Sequence, residues 1–175
     1  FEKFMEFLGI KCVVITDIDS IGDAGNKNKK GDPIIEACAV DKSMDTSNST
    51  LKDFFSDTSW EDLKTLPLDK RTLSIGNTSL LICYQQNESN YHARSFEDAF
   101  IHINKEYIKG NKVTFKGLQN KDLFEQDISA YELAEKCIKK KTHFALDILY
   151  HSNDDFSNWK IPAYIKEGLL WLKKD

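Results

Sequence analysis

The chain has 175 residues, 41% of them hydrophobic and 30% charged, enough for one core-bearing domain or one domain with a short appendage. No apolar run approaches the ~20 residues that cross a membrane, and no signal peptide is visible. A net charge of −4 excludes nucleic-acid binding by bulk attraction but leaves room for a local basic surface. The four cysteines are far apart and form no CxxC. They read as free core residues of a cytoplasmic protein rather than as zinc ligands.

Phe1–Gly9 is predicted to be a helix with Phe4, Phe7 and Leu8 inward and Gly9 as its stop. It begins without Met, as if in mid-helix, so the chain is expected to be a piece of a longer protein. Next comes Val13-Val14-Ile15-Thr16-Asp17-Ile18-Asp19-Ser20, an apolar, β-branched run ending in two carboxylates. It reads as a buried strand of a parallel sheet, whose carboxyl end is where ligands sit. Extended geometry through Ile18 would turn Asp17 and Asp19 to one face. Like charges that close favour a hard divalent cation with oxygen ligands; the plainer alternative is a strand end running into a turn. Gly22–Pro33 reads as a glycine-rich loop whose Lys27, Lys29 and Lys30 either touch backbone phosphates or stay solvated. Ile34–Val40 is a second strand, Thr46–Thr50 a capping segment before a short helix through Leu51, Phe54 and Phe55, and Leu80–Tyr84 a third strand.

The second half turns helical. Ser95 and Asp98 have capping-box spacing at the head of a helix through Phe96–Ile108. Glu97 between them has no such explanation, and a third carboxylate there would complete a site with Asp17 and Asp19. Arg94 precedes it as a possible phosphate contact. Ile128–Tyr150 carries one long helical pattern that includes Lys139-Lys140-Lys141. Lys141 borders the apolar stripe, where its charge could act on a phosphate or a leaving oxygen; a solvated face is the alternative. His92, His102, His143 and His151 show no ligand spacing, and no phosphate-binding GxxxxGK[ST] loop exists. Pro162 opens a last helix, Ala163–Lys173, with Ile165, Leu169 and Leu172 inward.

The ordered set of segments resembles the Toprim nuclease domain of the OLD (overcoming lysogenization defect) family of ATP-dependent endonucleases. It runs from Phe4-Met5-Glu6-Phe7-Leu8-Gly9-Ile10-Lys11 into the Asp17-Ile18-Asp19 strand, then Thr46-Ser47-Asn48-Ser49-Thr50-Leu51-Lys52 and Tyr84-Gln85. Ala93-Arg94-Ser95-Phe96-Glu97-Asp98-Ala99-Phe100, Lys141-Thr142-His143-Phe144-Ala145-Leu146 and Trp159-Lys160-Ile161-Pro162-Ala163-Tyr164-Ile165 complete it. The resemblance implies an α/β, Toprim-like fold with a mainly parallel sheet flanked by helices: residues 1–125 as the metal-binding part, 126–175 as a helical C-terminal extension. It implies Asp17, Asp19 and Glu97 on Mg²⁺ or Mn²⁺, and Lys141 near the cleaved phosphate of DNA. It further implies an N-terminal ABC-type ATPase in the complete protein (the route by which ATP would enter), a homo-oligomer, a helicase partner and a role in phage defence. The family's pattern has one more glutamate, on an earlier strand upstream of Phe1, so the bare chain is expected to be a poor nuclease.

Two other classes fit parts of the sequence. Val13–Asp19 also suits a haloacid-dehalogenase-like phosphatase, with Asp17 as nucleophile and Asp19 as general acid. Against it, Ile21 stands where that family has Thr or Val, and Asp154-Asp155 lies in a polar loop. The third class is a non-catalytic module that binds DNA or a partner.

Overall fold

The computed structural model describes residues 2–174; Phe1, with which the first expected helix opened, and Asp175 lie outside the described residues. Helix α1 (Glu2–Leu8) leads into β1 (Cys12–Ile15), followed by β2 (Ser20–Lys27), β3 (Pro33–Ala37) and β4 (Asp45–Thr46). Short helices α2 (Ser49–Phe54) and α3 (Trp60–Leu63) precede β5 (Thr72–Ile75), β6 (Thr78–Cys83) and a small hairpin, β7 (Asn87–Glu88) with β8 (Tyr91–His92). Four helices follow: α4 (Phe96–Asn111), α5 (Ala130–Cys137), α6 (Lys141–Tyr150) and α7 (Ala163–Lys173).

The β6 strand is the axis of the fold because its apolar run has no polar face. Leu80, Leu81, Ile82 and Cys83 are all fully buried, and successive side chains point to opposite sides. Leu80 and Ile82 pack with Met5, Ile18, Leu51 and Leu63 on one side. Leu81 and Cys83 face Ala93, Ala99 and Tyr164 on the other. Burial pushes the Cys83 thiol up to about 11, as suits an inert core cysteine. A further apolar cluster, built around Phe100, Phe115, Phe124, Leu133 and Phe144, draws on both of the parts expected from the sequence, before and after residue 125.

The α/β class holds, but the sheet is not mainly parallel. The β6 strand pairs in parallel with β1, Val13 opposite Leu81, and antiparallel with β5 through a tight turn at Gly76. A separate sheet, in the order β3-β2-β4, is antiparallel throughout. A connection as short as that between β5 and β6 can only reverse the chain, whereas a parallel return needs a long crossover.

The glycine-rich loop expected at 22–33 is mostly strand. It forms the β2–β3 hairpin, in which Ile21 faces Ala37 and Lys27 faces Pro33, closed by a turn where Asn28 Oδ1 accepts from the amides of Lys30 and Asp32. Beyond Gly22 its side chains lie largely in solvent, so no apolar alternation announced it.

Three helical expectations also shift. Helix α1 buries Met5, while Phe4 and Phe7 are 59% and 85% exposed. Helix α7 turns Tyr164 and Gly168 inward and leaves Leu169 and Leu172 outside. A Cβ on Gly168 would meet the Cys83 Sγ at 2.9 Å and the Val13 Cγ2 at 3.0 Å, so its absence lets α7 approach β1 and β6 closely. The single long helix at 128–150 is two, broken at Ile138–Lys140. There the amides of Lys139 and Lys140 donate to the Gly117 carbonyl, and Leu118 forms a β-bridge with Ile138. The competing strand-like pairing ends α5 and lets α6 start afresh at Lys141.

Candidate functional site

Parallel pairing carries one residue past β1, where the Thr16 amide donates to the Cys83 carbonyl. The chain then crosses the end of the strand as Asp17-Ile18-Asp19. Ile18 is fully buried and anchors the turn, its amide donating to Gln85 Oε1 at 2.6 Å. Thr46 Oγ1 donates to the Ile18 carbonyl, and Asn48 Nδ2 to the Asp17 carbonyl. The same Asn48 caps α2 through its Oδ1. Asp19 itself sits at φ +47°, in the left-handed region, so the extended geometry ends there. The charge of Asp19 still acts on Asp17.

Asp17 accepts from Gln85 Nε2 at 2.6 Å. Its pKa is raised, first by burial, which the Gln85 hydrogen bond opposes; the negative charges of Asp19 and Glu97 raise it further and Lys141 lowers it. Three of the other sequence-predicted residues thus act on Asp17. Asp19 Oδ1 lies 3.4 Å from Arg94 Nη2, while Arg94 Nε donates to the Ser20 carbonyl. Glu97, in the first turn of α4, is buried, and its Oε2 meets Lys141 Nζ at 3.0 Å. The lysine side chain is itself 72% exposed.

Asp98 does what the capping reading asked. Its Oδ1 accepts from the amide and hydroxyl of Ser95, its Oδ2 from the Arg94 amide and the Tyr91 hydroxyl. Every lone pair that matters is taken, which leaves Glu97 as the acid with a free edge. Lys27, Lys29 and Lys30 stay exposed around the β2–β3 turn. With 8 residues in β2 at ~3.3 Å each, that turn lies roughly 25 Å along the strand from Ser20. It is not brought to the carboxylates.

Among the described residues no three His, Cys, Asp or Glu side chains gather closely enough to hold a metal ion. Asp19 and Glu97 each face a cationic side chain instead. The donor set nonetheless suits a hard cation, since Asp17, Asp19 and Glu97 offer only carboxylate oxygens. The raised pKa of Asp17 means that a proton competes for the place where positive charge is wanted. Asp154 and Asp155, which a phosphatase would need here, are exposed in the turn after α6, and neither is among the charges acting on Asp17.

Sequence reasoning did not single out Gln85, Asn48 or Tyr164 as site residues. Gln85 is fully enclosed and holds both the Asp17 carboxylate and the Ile18 amide; its own carbonyl receives His92 Nε2 at 2.9 Å. Burial pushes the buried Tyr164 hydroxyl up, and it senses Asp17 and Glu97. The available signal was positional: Gln85 directly follows the apolar strand that pairs with the Asp17 strand. A surface groove of about 780 Å³ lined by Cys38, Lys42, Lys64 and His92 contains none of the four acid and lysine residues.

No family model matches this chain, and no solved structure matches it. It is similar to the protein named endonuclease GajA of Bacillus cereus (strain HuB5-5), 29% identical over 185 aligned positions that cover 99% of this chain. Those positions are 25% of that protein, so the chain spans about a quarter of the length of the curated relative it matches.

Proposed function

We propose that this chain is the nuclease part of a larger, divalent-metal-dependent DNA endonuclease, Toprim-like and of the OLD type. The observation that supports the reading is the Lys141–Glu97 contact at 3.0 Å, whose two charges, with that of Asp19, act on Asp17 just past the β1 strand. Similarity to an endonuclease along nearly the whole chain supports the same class. Asp17, Asp19 and Glu97 would hold Mg²⁺ or Mn²⁺. Such an ion supplies Lewis acidity toward an attacking water and a leaving oxygen. The protein's own contributions follow from the geometry. Gln85 fixes the direction of the Asp17 carboxylate. Arg94 restrains Asp19 from the backbone side of the turn. Lys141, solvent-exposed and tethered only to Glu97, is free to move its ammonium onto a phosphate once metal occupies the carboxylate. The ABC-type ATPase, oligomeric assembly, helicase partner and phage-defence role belong to the whole protein in this proposal.

The test is Mg²⁺- or Mn²⁺-dependent nicking of plasmid DNA by the full-length protein and by its Asp17→Asn/Asp19→Asn variant. Loss of cleavage with an intact fold is the expected result. Unchanged nicking in the double variant would remove the nuclease chemistry from this site.

A further inference from the structure

The break between α5 and α6 has an electrostatic consequence. Lys139, Lys140 and Lys141 come out of it together, and Lys116 is brought beside them because its neighbour Gly117 receives the amides of Lys139 and Lys140. All four are exposed. Several lysines of neighbouring helices are paired, Lys109 and Lys112 with Glu125 and Lys136 with Glu132. Among the described residues Lys116, Lys139 and Lys140 make no ion pair, and Lys141 pairs only with the site glutamate, Glu97. The nearest acid of α6, Asp147, is buried and used on the Gly117 amide at 2.6 Å. Nor do these charges serve the fold: the first turn of α6 holds no acid, and positive charge at that end of a helix opposes its dipole. A chain of net charge −4 therefore keeps an unneutralised basic surface contiguous with its carboxylate cluster.

We infer that Lys116, Lys139 and Lys140 form a ledge that grips the phosphate backbone of duplex DNA and leads it to Asp17, Asp19 and Glu97. The inference rests on the nuclease reading and adds which face the DNA follows. It also sets the ledge against the other lysine group, Lys27, Lys29 and Lys30, which lies far along the β2–β3 hairpin beside Asp23 and Asp32. A grip of this kind carries no sequence preference, since phosphates are alike along the duplex.

The experiment is fluorescence anisotropy with a labelled 30-base-pair duplex in EDTA, over a salt series, on the protein and three variants. Lys116→Gln/Lys139→Gln/Lys140→Gln is expected to weaken binding about tenfold and to reduce the slope of log K against log salt by about 2–3, near 0.9 for each phosphate that is no longer neutralised. The smaller Lys139→Gln/Lys140→Gln variant is expected to show about two thirds of that reduction in slope. Lys27→Gln/Lys29→Gln/Lys30→Gln is expected to bind as the parent does. The melting temperature of the ledge variants should hold or rise, because unfavourable charge is removed from α6. Unchanged affinity and slope in both ledge variants, with the parent binding DNA, overturns the ledge and leaves the nuclease reading standing. A loss confined to the hairpin variant does the same. A parent chain that neither binds the duplex at low salt nor loses nicking in the Asp17→Asn/Asp19→Asn variant overturns the nuclease reading together with the ledge.

Discussion

Replacing Gly117 with alanine tests whether one close backbone approach sets the position of Lys141. A Cβ built on Gly117 falls 2.3 Å from the Phe144 amide nitrogen and 2.7 Å from the His143 carbonyl carbon. Both are backbone atoms inside the first turn of α6, so no side-chain rotation can relieve them. Restoring ordinary separation requires α6 to retreat by about 1 Å, and overpacking of this kind costs about 1–3 kcal/mol. The retreat also stretches the hydrogen bond from the Gly117 amide to Asp147 Oδ2, now 2.6 Å, and a bond to a charged group contributes about 1.5–3 kcal/mol. Partial loss of the second term on top of the first gives a destabilisation of about 2–4 kcal/mol. For a chain of this size that is a fall of roughly 5–15 °C in melting temperature. Differential scanning calorimetry reads the first quantity and plasmid nicking by the full-length protein reads the second, which should drop because Lys141 moves with the helix. Asp147→Asn, which keeps an acceptor for Gly117 but removes its charge, should cost only about 1 kcal/mol. A Gly117→Ala protein that melts within 2 °C of its parent (a shift expected from ~0.5–1 kcal/mol) would refute the claim that this close approach fixes α6.

Glu97→Gln should weaken Mn²⁺ binding, measured by electron paramagnetic resonance, with little effect on stability. Asp98→Asn should instead cost at least about 0.5–2 kcal/mol, because the amide offers one oxygen where four donors converge; a catalytically dead Asp98→Asn beside a fully active Glu97→Gln would reverse the assignment. Lys141→Ala should lower turnover far more than DNA affinity, since charge acting on the transition state contributes little to ground-state binding; equal losses would make it an ordinary phosphate ligand. His92 is held below its usual 6.5, first by burial, so the folded state binds fewer protons there than the unfolded one. Its contribution to stability is therefore complete above that pH and is lost as pH falls through the folded-state value. His92→Gln should flatten the decline of urea stability between pH 7 and 5, and an unaltered decline would remove His92 as its source.

The sequence made some of these elements legible because the local pattern and the tertiary packing agreed. Leu80–Cys83 is apolar on both sides and is buried on both sides. Ser95 and Asp98 have the spacing of a cap and form one. Pro162 stands immediately before α7, as its fixed φ suits. Other elements were hidden because a long-range interaction decided them. The pause at Ile138–Lys140 comes from pairing with Gly117–Gln119, some twenty residues upstream, and nothing in the helical periodicity of 128–150 forecasts it. Helix α7 faces inward with a glycine rather than with its leucines, because closeness to Cys83 and Val13 outweighs the area a leucine would bury. The β2 strand shows no alternation because most of it touches water on both sides.

Around Asp17, the local backbone was not readable from the strand pattern. Strand alternation predicted that Asp17 and Asp19 share a face. Ile18 is buried with its amide held by Gln85, and Asp19 after it takes a left-handed backbone that strand alternation does not include. That difference changes what controls the pair. In a continuous strand the sheet ladder would set both carboxylates. Here Gln85 aims one and Arg94 restrains the other, so the two can be perturbed separately. Glu97 and Lys141 approach each other from the starts of two helices, α4 set by its capping box and α6 by Gly117. The proposed site residues thus come from the segment after β1 and from two helix starts, each with its own structural lock. A substitution at Gln85, Arg94, Asp98 or Gly117 should accordingly disturb one member of the site and leave the others in place.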